Sequence, residues 1–98
     1  MAKGYWVAHV DVQDAEVYDK YRQANAAPFK EYGARFLVRG APQDVREGSQ
    51  RSRTVVIEFA SLADAVACYE SEAYQNAKDI RATVSQGDLV IIEGYGDA

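Results

Sequence analysis

Two residue types that build most metal and nucleophile sites are nearly missing from this chain of 98 residues. It has one histidine, His9, and one cysteine, Cys68. A lone cysteine closes no intramolecular disulfide. A lone histidine without paired cysteines gives no zinc-type ligand spacing, so neither a metal site nor a cofactor is expected. No segment is low-complexity, and no Gly-rich phosphate loop or Ser/His/Asp order is present. No apolar run approaches the roughly 20 residues that span a bilayer. Met1-Ala2-Lys3-Gly4 leads straight into a strand pattern, without the long apolar run of a signal peptide. The expectation is a cytoplasmic protein with no membrane partner. Positive charge is also scarce. Eleven Lys and Arg against 15 Asp and Glu leave a net charge of −4, which disfavours nucleic acid as a partner.

The scarce positive charge is unevenly spread. Residues 35–53 hold Arg35, Arg39, Arg46, Arg51 and Arg53 against Asp44 and Glu47, a local excess of three positive charges, so the remainder carries −7. An arginine-rich segment in an acidic chain suggests a small anion more than a polyanion.

What the chain has in plenty is strand and helix periodicity, in a strand–helix–strand order that occurs twice. Tyr5 to Val12 reads as a strand. Asp14 then offers an N-cap, and a helical stripe runs from Val17 to Tyr32 with a break at Pro28. Arg35 to Gly40 is the second strand. In the turn-rich segment 41–52, Gln43 to Glu47 reads as a short extra strand. Thr54 to Phe59 is the third strand. Ser61 with Asp64 resembles a capping box, and Leu62, Ala65, Val66 and Tyr69 form a buried helix stripe. Ser71 marks a break and restart, and Gln86-Gly87-Asp88 turns the chain into a fourth strand at Leu89 to Glu93. Two such halves predict a single α+β domain over residues 1–98, one four-stranded sheet with its helices on one face.

Side chains alternate along strands. That alternation predicts an apolar side made of Trp6, Ala8, Val10, Phe36, Val38, Val55, Ile57, Phe59, Val90 and Ile92, packed under the helices. The other side mixes Tyr5, Val7, Leu37, Val56, Leu89 and Ile91 with His9, Asp11, Arg39, Glu58 and Glu93. Its apolar area is too large to leave wet, and the chain has no further helices to cover it. A second copy packed face to face is the expected cover. The polar groups of this side would then converge in the space between two sheets.

Three stretches then resemble one known family. They are Gly4-Tyr5-Trp6-Val7-Ala8-His9-Val10-Asp11-Val12, Tyr32-Gly33-Ala34-Arg35-Phe36-Leu37-Val38-Arg39-Gly40 and Ala67-Cys68-Tyr69-x-Ser71-x-x-Tyr74-Gln75, supported by Val56-Ile57-Glu58-Phe59 and Val90-Ile91-Ile92-Glu93-Gly94. The chain is similar to the family known as domain of unknown function 1330. The resemblance implies a ferredoxin-like βαββαβ fold of the dimeric α+β barrel group, with an antiparallel sheet. Relatives in that group include cofactor-free monooxygenases, muconolactone isomerases, haem-degrading enzymes and stress-responsive proteins.

The candidate chemistry falls on six residues. His9 either shuttles a proton near neutral pH or is a packed, hydrogen-bonded strand residue. Glu58, inside an apolar strand, is either a general base or the partner of Arg39 or Arg53 in an ion pair that fixes register. Arg39 would clamp an anion in a bidentate fork. Tyr5, Tyr69 and Tyr74 would line the pocket and donate from their phenols, whereas Tyr21 reads as core. Cys68 lies mid-helix without a cationic neighbour and reads as a small packed residue. The expected function is binding of a small anionic or aromatic molecule in a homodimer barrel, with isomerase-like or monooxygenase-like turnover. The alternative is a non-catalytic dimeric module.

Overall fold

Gly4–Val12 forms β1, Arg35–Arg39 β2, Arg53–Phe59 β3 and Ser85–Glu93 β4 of one sheet, in the computed structural model that describes residues 2–96. The spatial order is β2-β3-β1-β4, and every neighbouring pair is antiparallel. Each strand–helix–strand half therefore straddles a strand of the other half, which is the ferredoxin-like α+β topology. The helical layer consists of α1 (Ala15–Ala24), α2 (Ala26–Glu31), α3 (Leu62–Glu70) and α4 (Glu72–Ala82). The Cα atoms fill 38 × 36 × 16 Å, a slab of one sheet and one helical layer. No helix among the described residues is long and apolar enough to cross a membrane.

The breaks within the helical layer follow from local chemistry. The Asp14 carboxylate accepts the amides of Glu16 and Val17 at 3.1 and 3.2 Å and starts α1. Pro28 has no N–H to give the Ala24 carbonyl, so α1 stops at Ala24 and α2 resumes beyond Asn25. Ser71 divides the second pair. Its hydroxyl donates to the Cys68 carbonyl at 2.7 Å, closing α3, and accepts the Tyr74 amide at 3.2 Å, opening α4.

The core is aromatic. Trp6 is 1% exposed, its ring lying 4.8–5.7 Å from those of Tyr74, Phe29, Phe59 and Tyr69. Its indole N–H donates to the Ala65 carbonyl at 2.9 Å. Cys68 is buried with its sulfur 3.8 Å from the Pro28 carbonyl. Burial, and secondarily Glu31, pushes its thiol up to about 12, which suits a packing role.

Three expectations are corrected. Residues 40–52 contain no strand, and Gln43 instead bridges the loop, donating to the Arg51 carbonyl and accepting from the Thr54 hydroxyl. Gln86, Gly87 and Asp88 are not a turn but lie within β4, paired with Asp11, Val10 and His9. The faces of β4 are also exchanged. Its register sets Ile91 opposite Trp6 and Leu89 opposite Ala8, so Leu89 and Ile91 face the helices. Val90 and Ile92, each 53% exposed, face away. Glu93 misled the assignment. It sits opposite Gly4 at the end of β1, exposed beyond the core, where a charge on the helix side is tolerated.

An arginine-lined cleft between sheet and helices

The largest rearrangement against the alternating pattern is in β2. Arg35 pairs with Glu58 and Phe36 with Ile57, but Val38 pairs with Val56 and Arg39 with Val55. Leu37 is the extra residue of a β-bulge, which shifts the alternation by one. Val38 therefore lies on the open face, and Arg39 lies on the helix side with Val55. Arg39 does not share a face with Glu58, and the alternative of an ion pair between Glu58 and Arg39 or Arg53 is not realised among the described residues. Glu58 is instead 3.4 Å from the Lys3 ammonium and accepts the Tyr5 hydroxyl at 3.4 Å.

On the helix side Arg39 meets other cations. Its guanidinium stacks 4.1 Å above the Phe36 ring. Arg53, opposite Val10, lies 5.8 Å from the Tyr18 ring, and Arg81 of α4 lies 5.6 Å from the Tyr21 ring. These three, with Arg22 of α1, line a cleft between the sheet and the helices. Its floor is apolar, formed by Trp6, Phe29, Phe36, Val55, Ile57 and Leu89. The enclosed room is about 60 Å³. A water needs roughly 10–15 Å³ on that measure, so the space suits a small molecule of a few atoms to one ring.

The local sequence explains how these groups converge. Tyr18, Tyr21 and Asn25 recur at helical spacing and face the sheet together. Gly40 holds φ +71°, and a Cβ there would collide with the Arg53 guanidinium, so glycine makes room for that side chain. Its amide donates to the Thr54 carbonyl at 2.9 Å.

The electrostatics are one-sided. Arg22 has a partner in Asp19 at 3.6 Å. Arg39, Arg53 and Arg81 have no ion pair among the described residues. Asp88, at the cleft's margin, is held by Arg51 at 3.1 Å. Desolvation first, then the charges of Arg22 and Arg53, make Arg39 a weaker base than an ordinary guanidinium. Tyr18 and Tyr21 oppose this only in part, and burial raises Tyr18 and Tyr74 above the usual tyrosine range. The Tyr21 and Tyr74 hydroxyls share a hydrogen bond of 2.9 Å.

The six expected site residues are thus divided. His9, Tyr5 and Glu58 are on the open face, His9 with its Nδ1 3.1 Å from the Thr54 hydroxyl. Arg39 is in the cleft. Tyr74, fully buried, stands behind the cleft wall and reaches it through Tyr21. Tyr69 packs on Trp6 and Tyr74 with Lys78 over its outer side. No group of three or more His, Cys, Asp or Glu among the described residues could hold a metal. Sequence reasoning passed over Arg53, Arg81 and Asn25 as site residues. The signals were present in the arginine excess of residues 35–53 and in the seven-residue spacing from Tyr74 to Arg81, two helical turns on one face.

With this geometry, the chain belongs to the family described as Domain of unknown function (DUF1330), whose profile matches residues 3–95. Among curated proteins none matches. Several solved structures share its fold. A protein of unknown function from Rhodopseudomonas palustris is 16% identical, with a TM-score of 0.76 over 97% of this chain and 84% of that one. SnoaB, a cofactor-independent oxygenase from Streptomyces nogalater, is 10% identical, with a TM-score of 0.64 over 98% and 96%. A dimeric protein of unknown function and ferredoxin-like fold from Bacteroides fragilis is 14% identical, with a TM-score of 0.62 over 93% and 95%. At these identities the shared property is the fold.

Proposed function

We propose that this protein binds a small organic anion in the cleft between its sheet and helices, as one half of a face-to-face homodimer. The observation that carries the binding reading is that Arg39, Arg53 and Arg81 line one cleft over an aromatic floor, with no ion pair to a carboxylate among the described residues. Guanidinium groups without a carboxylate partner suit an anionic acceptor, and the apolar floor suits an organic body attached to it. The cofactor-free isomerisation or oxidation expected from the sequence is the turnover we attach to this cleft. Its support is the polar wall of Tyr21 and Arg81 and the fold shared with an oxygenase. His9 and Glu58, on the other face, would act only in the space that a second copy closes.

The test is thermal unfolding with benzoate, small aliphatic carboxylates and inorganic phosphate, against benzamide as the uncharged control. A ligand at 100 times its dissociation constant adds about 2.7 kcal/mol, several degrees for a domain of this size. Stabilisation by at least one anion, absent with benzamide and lost in Arg53→Gln, is the expected outcome. No shift with any anion overturns the binding reading and leaves the non-catalytic dimeric module.

The homodimer rests on the open face. Val90 and Ile92 at 53% exposure, Leu37 at 45% and Val38 at 37% lie on it or at its edge, beside Val7 and Val56. Sedimentation at micromolar concentration should give twice the 10.8 kDa chain, and Val90→Asp with Ile92→Asp should give the single chain. A parent protein that sediments as a single chain refutes the dimer.

A further inference from the structure

One polar group in the cleft is buried with nothing to bind. The Nε–H of Arg53 is buried with no hydrogen-bond partner. Asn25, 4% exposed, lines the same cleft beside it. A buried donor left unmade is costly, so the Arg53 Nε–H, beside guanidiniums without a carboxylate partner among the described residues, suits a ligand that fills it. The charge count says how much negative charge that ligand brings. Arg39, Arg53 and Arg81 carry three positive charges that no described carboxylate offsets. Arg22 is already matched by Asp19, and Asp88 by Arg51. The hydroxyls of Tyr18 and Tyr74, raised by burial, supply dipoles but no charge.

Resting on the anion reading above, we infer that the ligand is a dianion on a compact apolar body, with two negative charges close enough to be shared by Arg39, Arg53 and Arg81. A monoanion would leave two positive charges of the cleft uncancelled in a partly dry site, where their repulsion is stronger than in water. A dianion cancels most of it and gives Arg53 Nε its acceptor. Two chemical sources meet this description, a dicarboxylate and a phosphate monoester, and both present oxygens suited to guanidinium forks. The aromatic floor selects those with a ring or branched apolar portion over a bare inorganic anion.

The experiment is calorimetric titration of the full chain at pH 7.5 with matched probes. These are phthalate, its monomethyl ester, benzoate and phenyl phosphate. The expected result is that phthalate or phenyl phosphate binds at least about tenfold more tightly than the monomethyl ester and benzoate, the effect of one further charge-assisted contact. Whichever dianion leads identifies the source. The preference should shrink in Arg81→Gln while benzoate affinity changes less. Equal affinity for mono- and dianions overturns this inference and leaves the anion reading intact. Failure of every probe to bind overturns both. The comparison in the parent protein decides the matter even where a variant does not fold.

Discussion

Trp6→Ala is expected to destabilise the protein by about 3–5 kcal/mol, the usual loss for emptying a large aromatic from a core. Four rings surround Trp6, drawn from α2, β3, α3 and α4. The void would therefore open where the sheet meets both helix pairs, and no single side chain can move to fill it. A domain of this kind has only about 5–15 kcal/mol in total, so the variant should stand at the edge of unfolding at room temperature. Urea denaturation, at one protein concentration for every variant, measures it. With m near 1–3 kcal/mol per molar, the midpoint should fall by a molar or more. Trp6→Phe keeps a ring but gives up the bond to the Ala65 carbonyl and should lose less. Similar midpoints for parent and Trp6→Ala would show that the aromatic cluster does not hold the sheet to the helices.

Gly4→Ala has the second large effect, for a reason unrelated to hydrophobicity. A methyl group at Gly4 would stand 2.6 Å from the Leu62 Cα and closer still to the Ser61 carbonyl oxygen. Both are backbone atoms at the start of α3, and Ser61 is its cap, accepting the Asp64 amide at 3.1 Å. Gly4 is itself fixed between Phe59 and Glu93 in the sheet. Neither side can yield without moving a strand or a helix end, and overpacking of that kind costs about 1–3 kcal/mol or more. For a domain near 100 residues, each kcal/mol is worth about 4–8 °C in melting temperature. A melting temperature unchanged by Gly4→Ala would mean that α3 lies farther from β1 than described.

Much of the fold was legible because strands and helices leave periodic marks. The caps at Asp14, Ser61 and Ser71 are local chemistry, and each lies where the pattern placed it, whereas the break expected at Pro28 falls at Asn25, three residues earlier. Register was not legible. Val90 and Ile92 were assigned to the core because Glu93 shares a face with Leu89 and Ile91, yet a residue at a strand end can leave the core without changing sides. The Leu37 bulge is invisible to a period of two, since the extra residue looks like any other member of an apolar strand. That single position separated Arg39 from Glu58 and moved the arginine from the open face to the cleft. The seven tyrosines could not be apportioned either, because a phenol in a core and one in a binding wall share the same helical spacing. Burial and partners distinguish Tyr74, behind the wall, from Tyr21, in it.

The bulge also bears on how relatives of this chain diverge. One codon lost from β2 would return Arg39 to the opposite surface without altering the chemistry of any remaining residue. β2 is an edge strand, where a change of length disturbs one neighbour rather than two. An insertion or deletion in β2 can therefore redirect the arginine to a different space without replacing it. An alignment that scores only residue identity would record such proteins as equivalent although their cations address different spaces.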